Sequence, residues 1–262
     1  MVEHFFRRGW ARFEVDPEIL RWVQSAKPAA LRAVAAPENV QWHQCQGTWF
    51  VGVDALPNDA RGGVTRDVPL AGAALEFIAQ QIGALPPLHP AQVSVTYPGY
   101  PKPRQGETEA GFRYRLNRDA AHVDGVLPIG PDRRRMLKEP HMFILGLPLT
   151  DASSDAAPLV VWEGSHERIR AAFQHAFADA SPSAWPDIDV TEIYQAARRT
   201  IFSECARVEL PAAPGEAILV HRLALHGVAP WSASARAEPA GRAIAYFRPL
   251  HPQGPVAWLA DR

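Results

Sequence analysis

Residues Pro214–Gly227 read PGEAILVHRLALHG. Pro214 and Gly215 open the stretch, an apolar run follows, and His226-Gly227 closes it. A short apolar run bounded by turn residues reads as a strand. The pattern recurs outward along the chain, predicting further short strands at 92–97, 112–116, 142–149, 159–162, 206–210 and 242–248, with this one at 216–221. Two helices interrupt them. One covers 166–178 behind Ser165 as N-cap, with Ile169, Ala172, Phe173 and Phe177 on one face; the other covers 190–205.

The first third is mixed. Asp16-Pro17-Glu18 opens a short helix, with Asp as N-cap, Pro at the first helical position, and Ile19, Trp22 and Val23 at helical spacing. Asp67, Val68 and Pro69 open another that Gly83 ends, and 48–53 (TWFVGV) is a strand between them. The fold class expected is mainly β with flanking helices: a double-stranded β-helix, that is, a jelly-roll or cupin-like barrel. Another α+β sandwich is the alternative. One domain is expected over 1–262, with 1–90 as helical and strand elements packed on the barrel and 91–262 as the jelly-roll core with inserted helices.

Composition removes several function classes. The 262 residues carry 27 Lys+Arg against 28 Asp+Glu, a net charge of −1 that argues against a dedicated nucleic-acid binder. No apolar run approaches the ~18 residues of a membrane-spanning helix. Met1–Trp10 holds Glu3, Arg7 and Arg8 and no apolar signal region. Cys45 and Cys205 are too few for a disulfide scaffold or a zinc-finger set, so a reduced, cytoplasmic protein is expected. The 25 prolines favour many turns over a helical bundle. Oligomeric state stays open.

Three constellations carry chemistry. In His122-Val123-Asp124 an extended backbone would turn an imidazole and a carboxylate to one face, supplying two ligands of a 2-His-1-carboxylate iron site. A surface hydrogen-bonded pair is the plainer reading. His226, 102 residues after Asp124, ends its strand beside a glycine and would face a barrel mouth, or else be a buried core histidine. In Gly241–Arg248 (GRAIAYFR), alternation places Arg242, Ile244, Tyr246 and Arg248 on one face. An arginine buried there needs an anion, and its planar fork suits a carboxylate; an exposed strand-edge arginine is the alternative.

These segments resemble the phytanoyl-CoA dioxygenase family of Fe(II)/2-oxoglutarate oxygenases. AHVDG (Ala121–Gly125), LPLTDASSDAAPLVVWEGSH (Leu147–His166), PGEAILVHRLALHG (Pro214–Gly227) and GRAIAYF (Gly241–Phe247) are similar to its motifs and follow in its order, covering roughly residues 110–250. The resemblance implies His122, Asp124 and His226 as iron ligands and catalytic centre, with Fe(II) and 2-oxoglutarate as cofactors and O2 as co-reactant. It implies Arg242 as partner of the 2-oxoglutarate C5 carboxylate, and His221 as a non-ligand histidine. A carboxylate at Asp124 favours hydroxylation over halogenation, with release of succinate and CO2. Val228 departs from the family's usual hydroxyl residue two after the distal histidine, and Trp231 stands where an Asn is usual. The 16-residue gap from His226 to Arg242 is long, absorbed by an insertion at 232–239 that keeps Arg236 as a rival.

A small-molecule substrate is expected. Arg113 and Arg115, sharing one strand face, and His141 beside the basic run 131–141 (PDRRRMLKEPH) suit an anion such as a carboxylate, phosphate or acyl-CoA; a solvated basic loop is the alternative. Trp42, Trp49, Trp162 and Trp231 are candidates to line its pocket or fill the core. The competing function is a non-catalytic or 2-oxoglutarate-independent cupin-like metal-binding protein. Zinc hydrolysis suits the same ligands but lacks an obvious general base.

Overall fold

The computed structural model describes residues 1–65, 67–238 and 241–260. In chain order its strands are β1 (Trp10–Phe13), β2 (His43–Gln44), β3 (Trp49–Gly52), β4 (Gln92–Thr96), β5 (Val126–Ile129), β6 (Arg134–Leu137), β7 (Ile144–Pro148), β8 (Asp151–Ala152), β9 (Leu159–Trp162), β10 (Arg207–Leu210), β11 (Ala217–Val220), β12 (His226–Val228), β13 (Ala237–Glu238) and β14 (Arg242–Phe247). Its helices are α1 (Val2–Arg8), α2 (Pro17–Ala35), α3 (Ala73–Gln81), α4 (Glu109–Asn117), α5 (Ser165–Phe177), α6 (Thr191–Glu204) and α7 (Gly254–Ala260). No described helix is long and apolar enough to cross a membrane.

Two antiparallel sheets face each other in a jelly roll. The larger has the order β1-β11-β7-β14-β4-β3-β2 and the smaller β10-β9-β12. The N-terminal strands therefore join the large sheet itself, β1 pairing with β11 and β3 with β4. Side chains alternate across each strand, and that alternation separates three cores. Leu145, Leu147, Leu219, Ala243, Ala245 and Phe247 face outward from the large sheet onto α2 and α3. Ile144, Ile218, Val220, Ile244 and Tyr246 face inward and meet Leu159 and Val161 of the small sheet. Val160 and Trp162 leave the small sheet's outer face toward α5, α6 and α7. The layers are helix, sheet, sheet, helix, with the space between the sheets reserved for the site.

The helical layers have local causes. One carboxylate caps two helices: Asp16 accepts from the Glu18 amide at 2.8 Å and from the Ala73 amide at 2.8 Å. That second bond explains why α3 begins at Ala73, rather than at the Asp67-Val68-Pro69 start expected from sequence. Gly72 sits against the same carboxylate at φ +120°, where an added Cβ would lie 2.7 Å from Asp16 Oδ2. The short helix expected after Asp16 continues through Pro28 to Ala35. Trp22 then packs on Phe247 at 5.7 Å between ring centres, and truncating either ring would cost about 3–5 kcal/mol.

The strand expected at 112–116 is instead part of α4. Thr108 caps it, its hydroxyl accepting from the Gly111 amide at 3.1 Å. Residues two apart on a helix point to nearly opposite sides, so the shared face expected for Arg113 and Arg115 does not form. The basic run after the His-x-Asp segment is a hairpin, β5 with β6, rather than a loop.

Candidate metal centre

The two histidine segments are locked together by backbone. The His122 amide donates to the His226 carbonyl at 2.8 Å, and the His226 amide donates to the His122 carbonyl at 3.0 Å. β12 is held from the other side by β9, with His226 opposite Val161. Ser165, expected as an N-cap, follows the actual cap Gly164, and its hydroxyl accepts from the Leu225 amide at 2.9 Å, tying α5 to the residue before His226. The loop carrying His122 lies on Gly227, where a Cβ would fall 2.1 Å from the Asp119 carbonyl oxygen. Arg207 clamps that loop through both oxygens of Asp119, at 2.6 and 2.9 Å. Gly125 is the second required glycine: its φ is +79°, and a Cβ would lie 1.8 Å from the Glu139 carbonyl oxygen.

The result is a cluster of three ligand atoms from His122, Asp124 and His226, all within 4.8 Å of one another. His122 Nε2 is 3.1 Å and His226 Nε2 is 3.7 Å from Asp124 Oδ1. Each imidazole turns Nδ1 to a backbone carbonyl, Ala120 at 3.1 Å and Ala224 at 2.9 Å. These contacts turn both Nε2 atoms toward Asp124, where a bound cation would take the place of the His122 hydrogen bond. Burial pushes the His226 pKa down to about 4, against the pull of Asp124, so the ring is neutral near pH 7, the form that can bind a cation. Burial alone would raise the Asp124 carboxyl; the Arg248 guanidinium and the hydrogen bond from His122 outweigh it and hold it well below the usual carboxylate range. Two imidazoles and an ionised carboxylate converging within 4.8 Å fit a first-row divalent metal such as iron(II).

The cluster stands where two cavities meet. An inner cavity of about 130 Å³ lies between the sheets, walled by Trp49, Ser94, Ile144, Leu159 and Tyr246. An outer cavity of about 590 Å³ opens toward α4, α6 and the β5–β6 hairpin. His122, Asp124 and Arg248 line both. Arg248 donates to Asp124 Oδ2 at 3.3 Å and to Gln92 at 2.9 Å, so it props the carboxylate oxygen turned away from the histidines. Sequence reading placed Arg248 only as a face-mate of Arg242; its contact with a residue 124 positions away is tertiary.

Arg242 is buried at 7% exposure on the inward face of β14, beside the Tyr246 hydroxyl. Among the described residues no carboxylate pairs with it. Opposite it in register stands Thr96, 1% exposed, whose hydroxyl has no hydrogen-bond partner. A buried guanidinium without an anion and a buried hydroxyl without a partner, side by side, fit a carboxylate. Thr96 was missed from sequence, although the parity of β4 already places it on the face of Gln92 and Ser94. Val228 faces the inner cavity. The rival Arg236 is exposed at the β8–β13 ribbon, where its amide bonds Ser153. Pro239, the last residue of the expected insertion, lies outside the described residues.

The remaining sequence candidates are dispersed. Arg113 is exposed and 3.6 Å from Glu109. Arg115 lines the outer cavity, but Glu107 neutralises it at 2.6 Å. His141 is buried and 3.2 Å from Glu139. Of the tryptophans, Trp49 alone among the four lines a cavity at the cluster; Trp42 and Trp162 pack in the outer cores and Trp231 packs beside Val228. His221 lies outside the cluster, in a second histidine pair with His166.

No known family's sequence pattern matches the chain, and no curated protein matches it. Solved structures do. The non-heme alpha ketoglutarate dependent epimerase SnoN from nogalamycin biosynthesis is similar at 17% identity and a TM-score of 0.51, over 99% of this chain and 87% of that one. The same epimerase in complex with Fe3+, alpha ketoglutarate and nogalamycin RO gives 16% and 0.51, over 100% of this chain and 88% of that one. The likeness shows the fold. EctD from S. alaskensis with bound Fe aligns at 16% identity and a TM-score of 0.47, over 94% of this chain and 74% of that one.

Proposed function

We propose that the protein is a non-haem Fe(II)- and 2-oxoglutarate-dependent oxygenase of the phytanoyl-CoA dioxygenase type that hydroxylates a small molecule. The observation that carries this is the junction itself: a His-Asp-His cluster between a small inner cavity and a larger outer one, with a buried arginine that no carboxylate pairs among the described residues on the inward face of β14. Metal binding alone would not require Arg242 to be buried without a carboxylate partner.

His122, Asp124 and His226 hold the metal through Nε2, a carboxylate oxygen and Nε2. Arg248 keeps Asp124 ionised and fixed in direction, and Gln92 in turn orients Arg248. Arg242, with Thr96 and Tyr246 beside it, receives the far carboxylate of 2-oxoglutarate; Thr96 supplies the hydroxyl that Val228 cannot. Ile144 and Leu159 keep the inner wall apolar and limit water there. When bound, iron and 2-oxoglutarate supply O2-driven decarboxylation to succinate and CO2, coupled to oxidation of a substrate C–H bond. Three protein ligands leave room for the cosubstrate and O2, and Asp124 occupies the place a halide would need, which favours hydroxylation. The substrate enters from the outer cavity, whose basic lining favours an anion; of the sequence candidates for substrate contact, Arg115, Arg133, Arg135 and Trp49 line it.

The test is O2-dependent conversion of 2-oxoglutarate to succinate by the iron-loaded protein. Succinate formation that needs both iron and O2 and is lost in Asp124→Ala supports the reading. Tight iron binding with no 2-oxoglutarate turnover or binding would favour the cupin-like metal-binding alternative.

A further inference from the structure

The outer cavity has more positive charge than its carboxylates can answer. Its three acids are already engaged: Glu107 by Arg115 at 2.6 Å, Asp124 by Arg248 at 3.3 Å, and Glu139 by His141 at 3.2 Å. Arg135 on β6 and Arg198 on α6 line the same cavity, and among the described residues neither meets a carboxylate. Arg135 donates to the Val126 carbonyl at 3.3 Å. Arg198 donates to the Ala121 carbonyl at 2.9 Å, while its Nε is buried without a partner. Tyr114, Tyr194 and Phe202 surround its guanidinium at 4.9, 5.2 and 5.8 Å. Burial pushes the Arg198 pKa down to about 10, and burial also lowers that of Arg135. Both half-buried cations lose hydration, and Arg133, on the same cavity, adds repulsion at Arg135, a cost that a bound anion offsets. Aromatic faces offset part of it for Arg198, but they give no partner to its N–H groups.

We propose that the outer cavity binds a substrate bearing an acid group, a carboxylate or phosphate, held by Arg135 and Arg198. This rests on the oxygenase reading and assigns the anion expected from sequence to two residues: Arg135, from the basic run 131–141, and Arg198, in place of Arg113, Arg115 and His141. Arg198 bonds the carbonyl of the residue before the ligand His122, so the acid is gripped at the edge of the metal cluster. The carbon presented for oxidation then lies a short way along the substrate from the acid. Arg135 and Arg198 also border a second cleft of about 530 Å³ with Arg118 and Arg199, which leaves room for the rest of a larger acid.

The test uses the Fe(II)-loaded, anaerobic protein saturated with 2-oxoglutarate, so that Arg242 is occupied. Benzoate, phenyl phosphate and neutral benzyl alcohol are titrated by calorimetry. The expected result is binding of one or both acids at least tenfold tighter than benzyl alcohol, falling tenfold or more in Arg135→Gln/Arg198→Gln. The preferred acid distinguishes carboxylate from phosphate. Arg32→Gln, exposed on α2 and away from these cavities, is the control and changes binding less than twofold. The visible absorbance of the iron–2-oxoglutarate complex, unchanged in the double variant, shows that the variant is folded and that the oxygenase site is intact. If that absorbance is absent in the parent protein, the oxygenase reading fails separately, and the acids are titrated into the Arg242→Leu protein instead. Should the double variant not fold, Arg198→Gln and Arg198→Lys are compared, with only the lysine keeping acid binding. Equal binding of acid and alcohol, or equal acid binding by parent and folded variant, overturns the proposal and leaves Arg198 as a stacking residue alone.

Discussion

The molecule contains two histidine pairs of the same shape with different fates. His122 and His226 have ring centres 4.7 Å apart, and so do His166 and His221. The first pair converges on the carboxylate of Asp124 and opens onto cavities. The second is sealed in the interior among Arg170 and Arg222. There His221 Nδ1 accepts from the Leu223 amide at 3.1 Å, and its Nε2 is 3.3 Å from Arg170. Arg170 and Arg222 donate onward to the Leu259 and Trp258 carbonyls at 2.6 and 2.7 Å, joining α5, α7 and the β11 end. His166 reaches the Phe6 carbonyl at 2.9 Å, adding α1. Ring spacing is therefore not what makes a metal site. The second pair also has a carboxylate near one ring, Glu167 at 3.5 Å from His166, but it is exposed and shared with Arg170; a buried carboxylate reached by both rings and an open approach make a metal site, while closure among arginines makes a structural knot.

The largest effect expected from this contrast is at the first pair. His226→Ala should lower iron-dependent 2-oxoglutarate turnover by more than about a thousandfold, about 4 kcal/mol, with little change in melting temperature, as read by succinate release and thermal unfolding. Truncating the second pair should do the reverse. His221→Ala should cost about 2–4 kcal/mol of stability in urea unfolding and leave iron affinity within about twofold. A loss of iron binding in His221→Ala would break the comparison.

On the inward face of β14, Arg242→Leu should raise the KM for 2-oxoglutarate about 10- to 100-fold, the value of a charged hydrogen-bonded contact of about 1.5–3 kcal/mol. Acid sharpens the contrast further. Burial, then Arg222, holds the His221 pKa well below 6.5, and burial lowers that of His166. Below pH 6.5 the unfolded chain takes up protons that the folded knot refuses, so stability is lost as pH falls, by up to about 1.4 kcal/mol per pH unit per histidine. His166→Gln should flatten that slope in metal-free protein, measured by urea midpoints between pH 7 and pH 5. The smallest effect belongs to Thr96→Val. It removes an unpartnered buried hydroxyl, so the melting temperature should hold or rise, while the KM for 2-oxoglutarate rises about 3- to 10-fold.

Much of this was legible in the chain because it depends on local pattern. The strands at 144–148, 159–162, 217–220 and 242–247 are apolar runs between turns, and the motif order brought His122, Asp124, His226 and Arg242 forward together. Where the reading failed, a side chain from elsewhere decided the outcome. Thr108 and the Arg115–Glu107 pair make 109–117 a helix. Asp16 caps α3 from another helix. Arg248 reaches Asp124, and Thr96 meets Arg242, only once β4, β7 and β14 are laid side by side. Arg135 lies in the basic run that was legible as anion-binding, whereas Arg198 comes from a segment more than sixty residues away and nothing there marks it as facing the same cavity.

The most direct measurement is an anaerobic titration of the protein with Fe(II) and then 2-oxoglutarate, followed by visible absorbance. A charge-transfer band should appear on adding 2-oxoglutarate, be absent in His226→Ala, need higher 2-oxoglutarate in Arg242→Leu, and be unchanged in folded His221 variants. Iron binding without a band, or a band that survives His226→Ala, would contradict the assignment of the first histidine pair as the metal centre of a 2-oxoglutarate oxygenase.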